Sequence, residues 1–265
     1  MSEEEQAPPG RSFWSGTISI GLVNVPVKLY TMIRDQSYSF HFLRKRDGCP
    51  LRYQRVCTYD NEVVEWGDVS RGYEVQKGEF VTFTKEELDA IRPESDRRIK
   101  VDKFVQYLGV DPLYFQSSYI LGPDKSGDAY GLLYSALEKK GLAGIGRYTM
   151  RTKEYPVLIH AYKGALILTT LRYTNEVIDP GTVKDIKELK QPGKKELELA
   201  FKILDNLTGE FDITEYKDTY RENVEKLIKQ KLKGEIIKVE KPEKREEVKE
   251  LMVALEETLQ QMKKR

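Results

Sequence analysis

Residues 14–30 alternate apolar and polar side chains in two halves that are out of phase with each other. The apolar positions are Ile18, Ile20 and Leu22 in the first half and Val23, Val25, Val27 and Leu29 in the second. A period of two is typical of a β-strand with one buried face. The one-residue shift beside Gly21 and Asn24 requires either a bulge or a tight turn. A β-rich body therefore begins here, and Pro26, which lacks an N–H, is expected at a strand edge or a strand start.

Later segments extend this β body and insert helices into it. Strands are predicted at residues 80–83, 99–107, 117–121, 145–151, 156–161 and 165–173. Thr84 and Glu87 form a capping-box pattern that opens a short helix, and residues 128–140 form a second helix closed by Gly141. Because the connections between the last three strands are short, these strands are expected to form an antiparallel meander. Residues 12–180 are therefore predicted to form an antiparallel β-barrel with inserted helices.

Residues 37–75 differ from the barrel segments because they are polar and interleave charges with aromatic side chains. They are predicted to form a β bridge, a ribbon that projects from the body, rather than a packed core strand. The basic residues of this segment are Arg44, Lys45, Arg46, Arg52 and Arg55, opposed before Val56 only by Asp47. On one strand Arg52 and Arg55 lie on opposite faces unless a bulge intervenes.

A second basic set lies in the meander and consists of Arg147, Arg151 and Lys153. Basic clusters of this kind bind phosphate without reading the base sequence, and no segment resembles a helix that reads a DNA groove. The alternative is an ordinary solvated hairpin, which is the default for a charge cluster. From the residues alone, contact with nucleic acid and an ordinary solvated hairpin both remain open interpretations.

Charged helices with narrow apolar stripes follow the change in composition near Asp179. The stripes are Leu197, Ala200, Phe201, Leu204 and Leu207; Tyr216, Tyr220, Val224, Leu227 and Ile228; and Val248, Leu251, Met252, Leu255, Leu259 and Met262. Asp212 and Glu215 predict a capping box before the second of these helices. Stripes this narrow must pack against the barrel or another subunit. The predicted fold class is mixed α+β: the barrel with its bridge, a helical arm over residues 181–240, and a short C-terminal helix within 241–265.

Composition and cysteine usage restrict the class of protein. The chain has 265 residues and a net charge of +1, so affinity for nucleic acid has to come from local charge. Residues 1–11 are acidic and then contain Pro and Gly, and are expected to form a disordered leader. Two cysteines exclude a disulfide framework, no signal-peptide pattern opens the chain, and no apolar run reaches the roughly 18 residues of a membrane span. We therefore expect a protein of the reducing cytoplasm.

The sequence holds no pattern typical of an active site. Nucleophile elbows, phosphate-binding glycine loops and zinc-protease motifs are absent, and His160 lies in an apolar strand, where a structural role is expected. We therefore expect a protein that is not an enzyme and has no cofactor. The alternative, a hydrolase, is left without any set of catalytic residues in the sequence. Cys49 and Cys57 could meet in a hairpin with His41. Zinc needs about four ligands, so two reduced cysteines are favoured over a metal site.

The segment Trp14–Tyr30, WSGTISIGLVNVPVKLY, resembles the first strand region of the prokaryotic Ku family. The resemblance continues through Ser39–His41, Arg52–Cys57, Arg71–Glu74, Asp111–Pro112, Gly122–Lys125, Ile145–Arg147, Met150–Thr152, Leu171–Tyr173 and Glu176–Pro180. Tyr216–Tyr220 and Lys231–Gly234 are similar to the helical arm of that family, and Val248–Leu259 is similar to its short C-terminal helix. The motifs cover nearly the whole chain in order.

This resemblance implies a homodimer whose barrels and bridges form a ring around double-stranded DNA at a broken end. Members of the family act in non-homologous end joining, without sequence specificity, and recruit an ATP-dependent DNA ligase, ligase D. It implies a location at DNA breaks in the nucleoid. Residues 37–75 would be the bridge, with Arg71 added to its basic residues, and 181–240 the dimerisation arm. The ligase contact would be Val248, Leu251, Met252, Leu255 and Leu259.

Two departures from the family pattern affect these expectations. Many relatives carry a Cys-x-x-Cys pair that begins at the position of Cys57, whereas Asp60 holds the second position here, which argues further against zinc. Some relatives also carry a long Lys-rich tail, whereas this chain ends at Lys263–Arg265. Functions that depend on such a tail, such as bridging ends or moving along DNA, are in doubt. A competing hypothesis is a scaffold whose main role is protein recruitment through the last helix.

Overall fold

The computed structural model describes residues 10–93, 96–125, 127–150, 153–189, 191–234 and 251–262. The chain divides into two compact units, Met1–Ile178 and Asp179–Arg265. Of the predicted leader over residues 1–11, only the last two residues fall in the described part. None of the helices in the described ranges is long and apolar enough to cross a membrane.

The first unit is built on strands, seven of which close into a barrel. The strands are β1 Trp14–Ile20, β2 Val23–Thr31, β3 Arg71–Gln76, β4 Glu79–Phe83, β5 Arg98–Gln106, β6 Phe115–Pro123, β7 Leu142–Met150, β8 Lys153–Tyr162 and β9 Ala165–Leu171. The barrel order is β1–β2–β6–β9–β8–β7–β5. The predicted barrel and its β7–β8–β9 meander are confirmed, except that β5 closes on β1 in parallel, with Thr17 paired to Arg98. Residues 32–97, which we call the crossover, connect the end of β2 to the start of β5.

The opening segment forms a β-hairpin, so the phase shift in the sequence marks a tight turn. Gly21 has φ +59°, and Leu22 beside it is 99% exposed at the tip between β1 and β2. Pro26 was expected at a strand edge or a strand start, but it lies inside β2, paired with Thr17 in a closed barrel. Its carbonyl accepts a hydrogen bond from the Asp124 N–H at 3.1 Å, just beyond the end of β6. The missing N–H therefore faces the place where the ladder between β2 and β6 ends.

Apolar side chains fill the barrel, and the helix α2, Asp128–Lys140, packs against β2, β7 and β8. The fully buried core residues include Ile18, Val25, Val27, Leu29, Ile99, Leu121, Tyr148, Val157, Ile159, Leu166 and Leu168. The Tyr130 hydroxyl of α2 donates to the Leu121 carbonyl at 2.6 Å and accepts from the Leu166 N–H at 2.8 Å. α2 ends where predicted, since Gly141 adopts φ +62° and caps it.

His160 lies in the wall of the barrel, as expected for a structural residue. Its ring is buried and stacks on Tyr107 with 4.5 Å between ring centroids. Burial lowers the pKa of the His160 imidazole, because a charged ring would lose its hydration there. The neutral ring therefore packs as one more apolar group of the wall.

Most of the described crossover is exposed, and no residue from 32 to 93 is buried. The regular ribbon within it is the β3–β4 hairpin, which extends beyond the predicted end at residue 75. Within the predicted bridge, residues 37–70 hold two isolated antiparallel β-bridges, Leu43 to Pro50 and Val56 to Val63, each across a tight turn. α1, Lys85–Ala90, begins with the predicted capping box of Thr84 and Glu87.

The second unit is helical in its described part. Its helices are α3 Lys184–Lys187, α4 Lys194–Leu207, α5 Thr219–Leu232 and α6 Leu251–Met262. The predicted capping box of Asp212 and Glu215 was wrong, because Asp212 caps a single 3-10 turn, Ile213–Glu215. α5 begins instead at Asp218, whose carboxylate accepts from the Arg221 N–H at 2.9 Å. Within this unit α6 packs against α4.

Candidate nucleic-acid interface

The exposed crossover contains two tight turns that share the same pattern of backbone hydrogen bonds. We call residues 43–50 the first turn and residues 56–63 the second turn. In the first turn the Arg44 N–H donates to the Cys49 carbonyl at 2.8 Å and the Gly48 N–H donates to the Arg44 carbonyl at 2.8 Å. In the second turn the Cys57 N–H donates to the Glu62 carbonyl at 2.8 Å and the Asn61 N–H donates to the Cys57 carbonyl at 3.0 Å. The sequence shows no repeat, yet the backbone repeats.

The side chains of the two turns also match in position. Asp47 accepts from the Cys49 N–H at 3.3 Å, and Asp60 accepts from the Glu62 N–H at 2.9 Å. Gly48 and Asn61, one residue after these aspartates, have φ +70° and +60°. Asn is among the non-glycine residues that tolerate this conformation best. Each turn therefore closes by an aspartate followed by a residue in the left-handed region.

Charge separates sharply between the two turns. Residues 44–56 carry Arg44, Lys45, Arg46, Arg52 and Arg55 against one acid, Asp47. Residues 57–70 carry Asp60, Glu62, Glu65 and Asp68 and contain no Lys or Arg. The crossover therefore has a basic first part and an acidic second part. This local separation is compatible with a net charge of only +1 over the whole chain.

The two cysteines occupy different environments in these turns. Cys49 is exposed and Cys57 is half-buried, and both are free thiols. The pKa of the Asp60 carboxyl lies below its ordinary value because it accepts from the Glu62 N–H and from Cys57. Within the described ranges no three His, Cys, Asp or Glu side chains come together as a metal site would require. The Asp60 carboxylate therefore holds the second turn closed rather than binding a metal with the two thiols.

The basic residues of the first turn are partly neutralised by Asp47. Arg44 donates from Nε at 2.9 Å and from Nη2 at 2.6 Å to the two carboxylate oxygens, a bidentate pair. Arg46 approaches the same carboxylate at 3.6 Å. The Arg44 guanidinium holds the pKa of the Asp47 carboxyl below its ordinary value. Arg44 is therefore less available to phosphate than the sequence suggests.

Arg55 has an aromatic neighbour in place of a carboxylate. Its guanidinium carbon lies 4.2 Å from the centroid of the Trp66 ring. Among described residues, no carboxylate lies within ion-pair distance of Arg55, Lys45, Arg52 or Arg71. These four are the described cations of the predicted set that no carboxylate neutralises.

The predicted basic residues of the barrel are mostly paired with acids. Arg147 lies 3.3 Å from Asp102, which raises the pKa of the guanidinium, and Lys153 lies 3.4 Å from Glu176. Asp102 is the extra residue of a bulge in β5, and the bulge turns its carboxylate toward Arg147 on β7. Arg151 lies outside the described residues. Both described members of the barrel set are therefore paired with carboxylates.

Sequence reasoning missed two basic residues beside Arg147. A polar groove on the outside of the barrel is lined by Asp96, Arg98, Lys100, Arg147, Thr149 and Glu154. Lys100 pairs with Asp96 at 2.9 Å and lies opposite Arg147 in the β5–β7 ladder. The cross-strand register between distant segments creates this cluster, so no local pattern could have revealed it.

The predicted partner contacts on the last helix divide into two groups. Leu251 is 64% exposed, whereas Met252, Leu255 and Leu259 are half-buried. Val248 lies outside the described residues. On α4 the half-buried residues Leu199, Ala200 and Ile203 share one side, and Leu197, Phe201 and Leu204 form a second, exposed stripe. α6 therefore covers part of the apolar surface of α4 and leaves the other stripe open.

Comparison with known proteins identifies the family. The family model for the Ku70/Ku80 beta-barrel domain matches residues 19–199, which span the barrel, the crossover and the beginning of α4. The chain belongs to the Ku family. It is 37% identical over 229 residues to a non-homologous end joining protein Ku of Anaeromyxobacter sp. (strain K), covering 86% of this chain and 77% of the relative.

Two further Ku proteins cover still more of the chain. That of Bacillus subtilis (strain 168) is 33% identical over 252 residues, or 94% of this chain and 81% of the relative. That of Archaeoglobus fulgidus is 37% identical over 254 residues, or 96% of this chain and 100% of the relative. Both bear the name non-homologous end joining protein Ku. The likeness therefore extends beyond the barrel to the helical unit.

Proposed function

We propose that this protein binds the ends of linear double-stranded DNA without sequence specificity, as a homodimeric ring, in non-homologous end joining. Membership of the Ku family and the names of its relatives support this role. The observation that carries the proposal is an exposed crossover, with no buried residue from 32 to 93, in which Lys45, Arg52 and Arg71 have no described carboxylate partner. Its role is that of a scaffold at DNA breaks and not of an enzyme.

Phosphate contact explains the lack of sequence specificity. Lys and Arg side chains on an extended segment neutralise phosphates and release counterions, which stabilises the complex whatever the base sequence. A closed ring collects many such contacts and can load only where the duplex has an end. The acidic second turn would face away from the DNA, because its carboxylates would otherwise repel the phosphates.

Exposed apolar side chains support the homodimer. They include Phe40, Phe42, Tyr53, Tyr73 and Phe80 in the crossover and Leu197, Phe201, Leu204, Phe211 and Tyr216 in the helical unit. Large apolar side chains exposed together mark interaction surfaces, and a two-stranded hairpin such as β3–β4 is marginally stable without a neighbour. A second copy of the chain would cover both regions.

In this proposal the last helix recruits an ATP-dependent ligase, ligase D. Leu251 is the most exposed of the expected contacts that the structure describes, and Val248, Met252, Leu255 and Leu259 complete the stripe in the sequence. An amphipathic helix that lays apolar residues into a groove is a common way to bind a partner protein. The helix therefore separates the recruiting function from the DNA-binding crossover.

Two unrelated linear duplexes of one length are expected to bind with affinities equal within about twofold, and both affinities are expected to fall steeply with salt. The reason is that phosphates, which are the same in both duplexes, supply the contacts. Fluorescence anisotropy over a salt series measures both quantities. A tenfold preference for one sequence, or an affinity independent of salt, would contradict the proposal.

Deletion of residues 241–265 is expected to abolish stimulation of the ligase and to leave DNA binding within about twofold, since the basic crossover remains. Leu251→Glu tests the same helix with the chain intact, and Gln260→Glu on its exposed face is the charge-matched control. A ligation assay and an anisotropy titration of each variant measure the two functions separately. Loss of DNA binding on deletion would show that the division of functions is wrong.

A further inference from the structure

Arg55 and Trp66 meet because the second turn brings their backbones together. Val56 pairs with Val63, and the Val64 N–H donates to the Arg55 carbonyl at 2.9 Å. Trp66 follows two residues later and opens the 3-10 turn Trp66–Asp68. A residue two positions along the partner strand is a diagonal neighbour, within reach of an aromatic side chain. The backbone of the turn therefore fixes this side-chain contact.

The contact orients the guanidinium without using its hydrogen-bond donors. A guanidinium that lies over an indole ring interacts through its flat face, while its five N–H groups point outward in the plane. The donors of Arg44 are, in contrast, already bound to both oxygens of Asp47. Arg55 thus lies over Trp66 with its donors still available to bind a phosphate in a bidentate manner.

Trp66 has no evident packing role that would explain its size. Its side chain is 72% exposed, and no described aromatic ring stacks on it. It also lies in the acidic part of the crossover, between Glu65 and Asp68, where Arg55 would otherwise be drawn toward carboxylates. An aromatic ring at this position holds the cation without neutralising it.

We propose that Trp66 is a positioning residue for DNA binding, which holds the Arg55 guanidinium in the orientation that binds a backbone phosphate. This inference rests on the proposed binding of DNA ends. It adds a residue of the acidic segment to the binding machinery and predicts that Trp66 acts only through Arg55.

The test is a double-mutant cycle on the full-length protein, with dissociation constants for a linear duplex measured over a salt series. Trp66→Ala is expected to weaken binding about two- to fivefold, the range of an exposed cation–π contact. Arg55→Ala is expected to weaken it further and to lower the salt slope by about 0.9, one phosphate contact. In the Arg55→Ala background, Trp66→Ala is expected to have no additional effect.

Two conservative variants distinguish the positioning of Arg55 by an aromatic ring from the effect of apolar bulk at residue 66. Trp66→Phe keeps a π face and is expected to bind within about twofold of wild type, whereas Trp66→Leu keeps apolar bulk alone and is expected to bind as weakly as Trp66→Ala. Equal affinities of the Phe and Leu variants, or an undiminished effect of Trp66→Ala without Arg55, would overturn the inference. Failure of the wild-type protein to bind the duplex would instead overturn the proposed function, and thermal unfolding of each variant identifies any loss of folding.

Discussion

Replacing Arg52 and Arg71 together by Glu is expected to weaken binding to a linear duplex by roughly one to two orders of magnitude. Both side chains are exposed and have no described carboxylate partner, so their reversal breaks no ion pair of the fold. Each reversal removes one phosphate contact and places a negative charge near the DNA. The slope of log affinity against log salt is therefore expected to fall by about 1.8, or about 0.9 for each contact.

The matched control is Lys139→Glu with Lys140→Glu. These two lysines are exposed in the last turn of α2, outside the predicted DNA-binding set, and their reversal changes the net charge by the same amount. The control is expected to bind within about threefold of wild type, since screening limits charge effects to about 10 Å at 0.1 M salt. Equal losses in the two double variants would mean that net charge, and not the crossover, determines binding.

Gly146→Ala is expected to lower the free energy of unfolding by about 3 kcal/mol or more. A Cβ at this position would lie 1.9 Å from the Lys100 carbonyl oxygen and 2.9 Å from the Val101 Cα. Both obstacles are backbone atoms of β5, so the methyl group fits only if the β5–β7 ladder opens. The same ladder carries the bulge that directs Asp102 to Arg147, and its opening would also disturb the polar groove.

Gly131→Ala is the control for that substitution. Gly131 lies inside α2, and a Cβ there would meet no atom within 4 Å. The variant is expected to gain about 0.5–1 kcal/mol, because alanine loses less conformational entropy in a helix than glycine. Urea unfolding at one fixed protein concentration compares the variants, since the stability of an oligomer depends on concentration. A Gly146→Ala protein within about 1 kcal/mol of wild type would show that β5 adapts.

Local signals in the sequence predicted the elements of the barrel well. The phase shift at Gly21 marked the hairpin turn, the Thr84–Glu87 box marked α1, and Gly141 marked the end of α2. Each of these signals acts within a few residues, so the local sequence is sufficient to determine the structure at that point. Pro26 was misplaced for the opposite reason, because whether its missing N–H matters depends on where β6 ends, almost 100 residues later.

The candidate interface was harder to predict than the barrel elements, because its side-chain contacts depend on pairing between segments that are distant in the sequence. Its basic residues were visible in the sequence, but the sequence did not show which of them are paired with carboxylates and which remain available to phosphate. The pairing of Arg44 with Asp47 is local, whereas that of Arg147 with Asp102 depends on a bulge and a cross-strand register. The contact of Arg55 with Trp66 depends on the second turn, which brings the two residues together across its backbone pairing. Side-chain partners that come from distant segments are set by tertiary structure, which periodicity does not encode.

Because the proposed ring encircles DNA, the protein is expected to need a free DNA end in order to bind. Competition between a labelled linear duplex and unlabelled competitors of one sequence, either linear or covalently closed in a circle, tests this at matched salt and equal base-pair concentration. The linear competitor is expected to displace the labelled duplex, and the closed circle is expected to compete at least tenfold less well, because a preformed ring cannot load on it. Cutting the circle once is expected to restore competition in full. Equal competition by the closed circle and the linear duplex would contradict the ring.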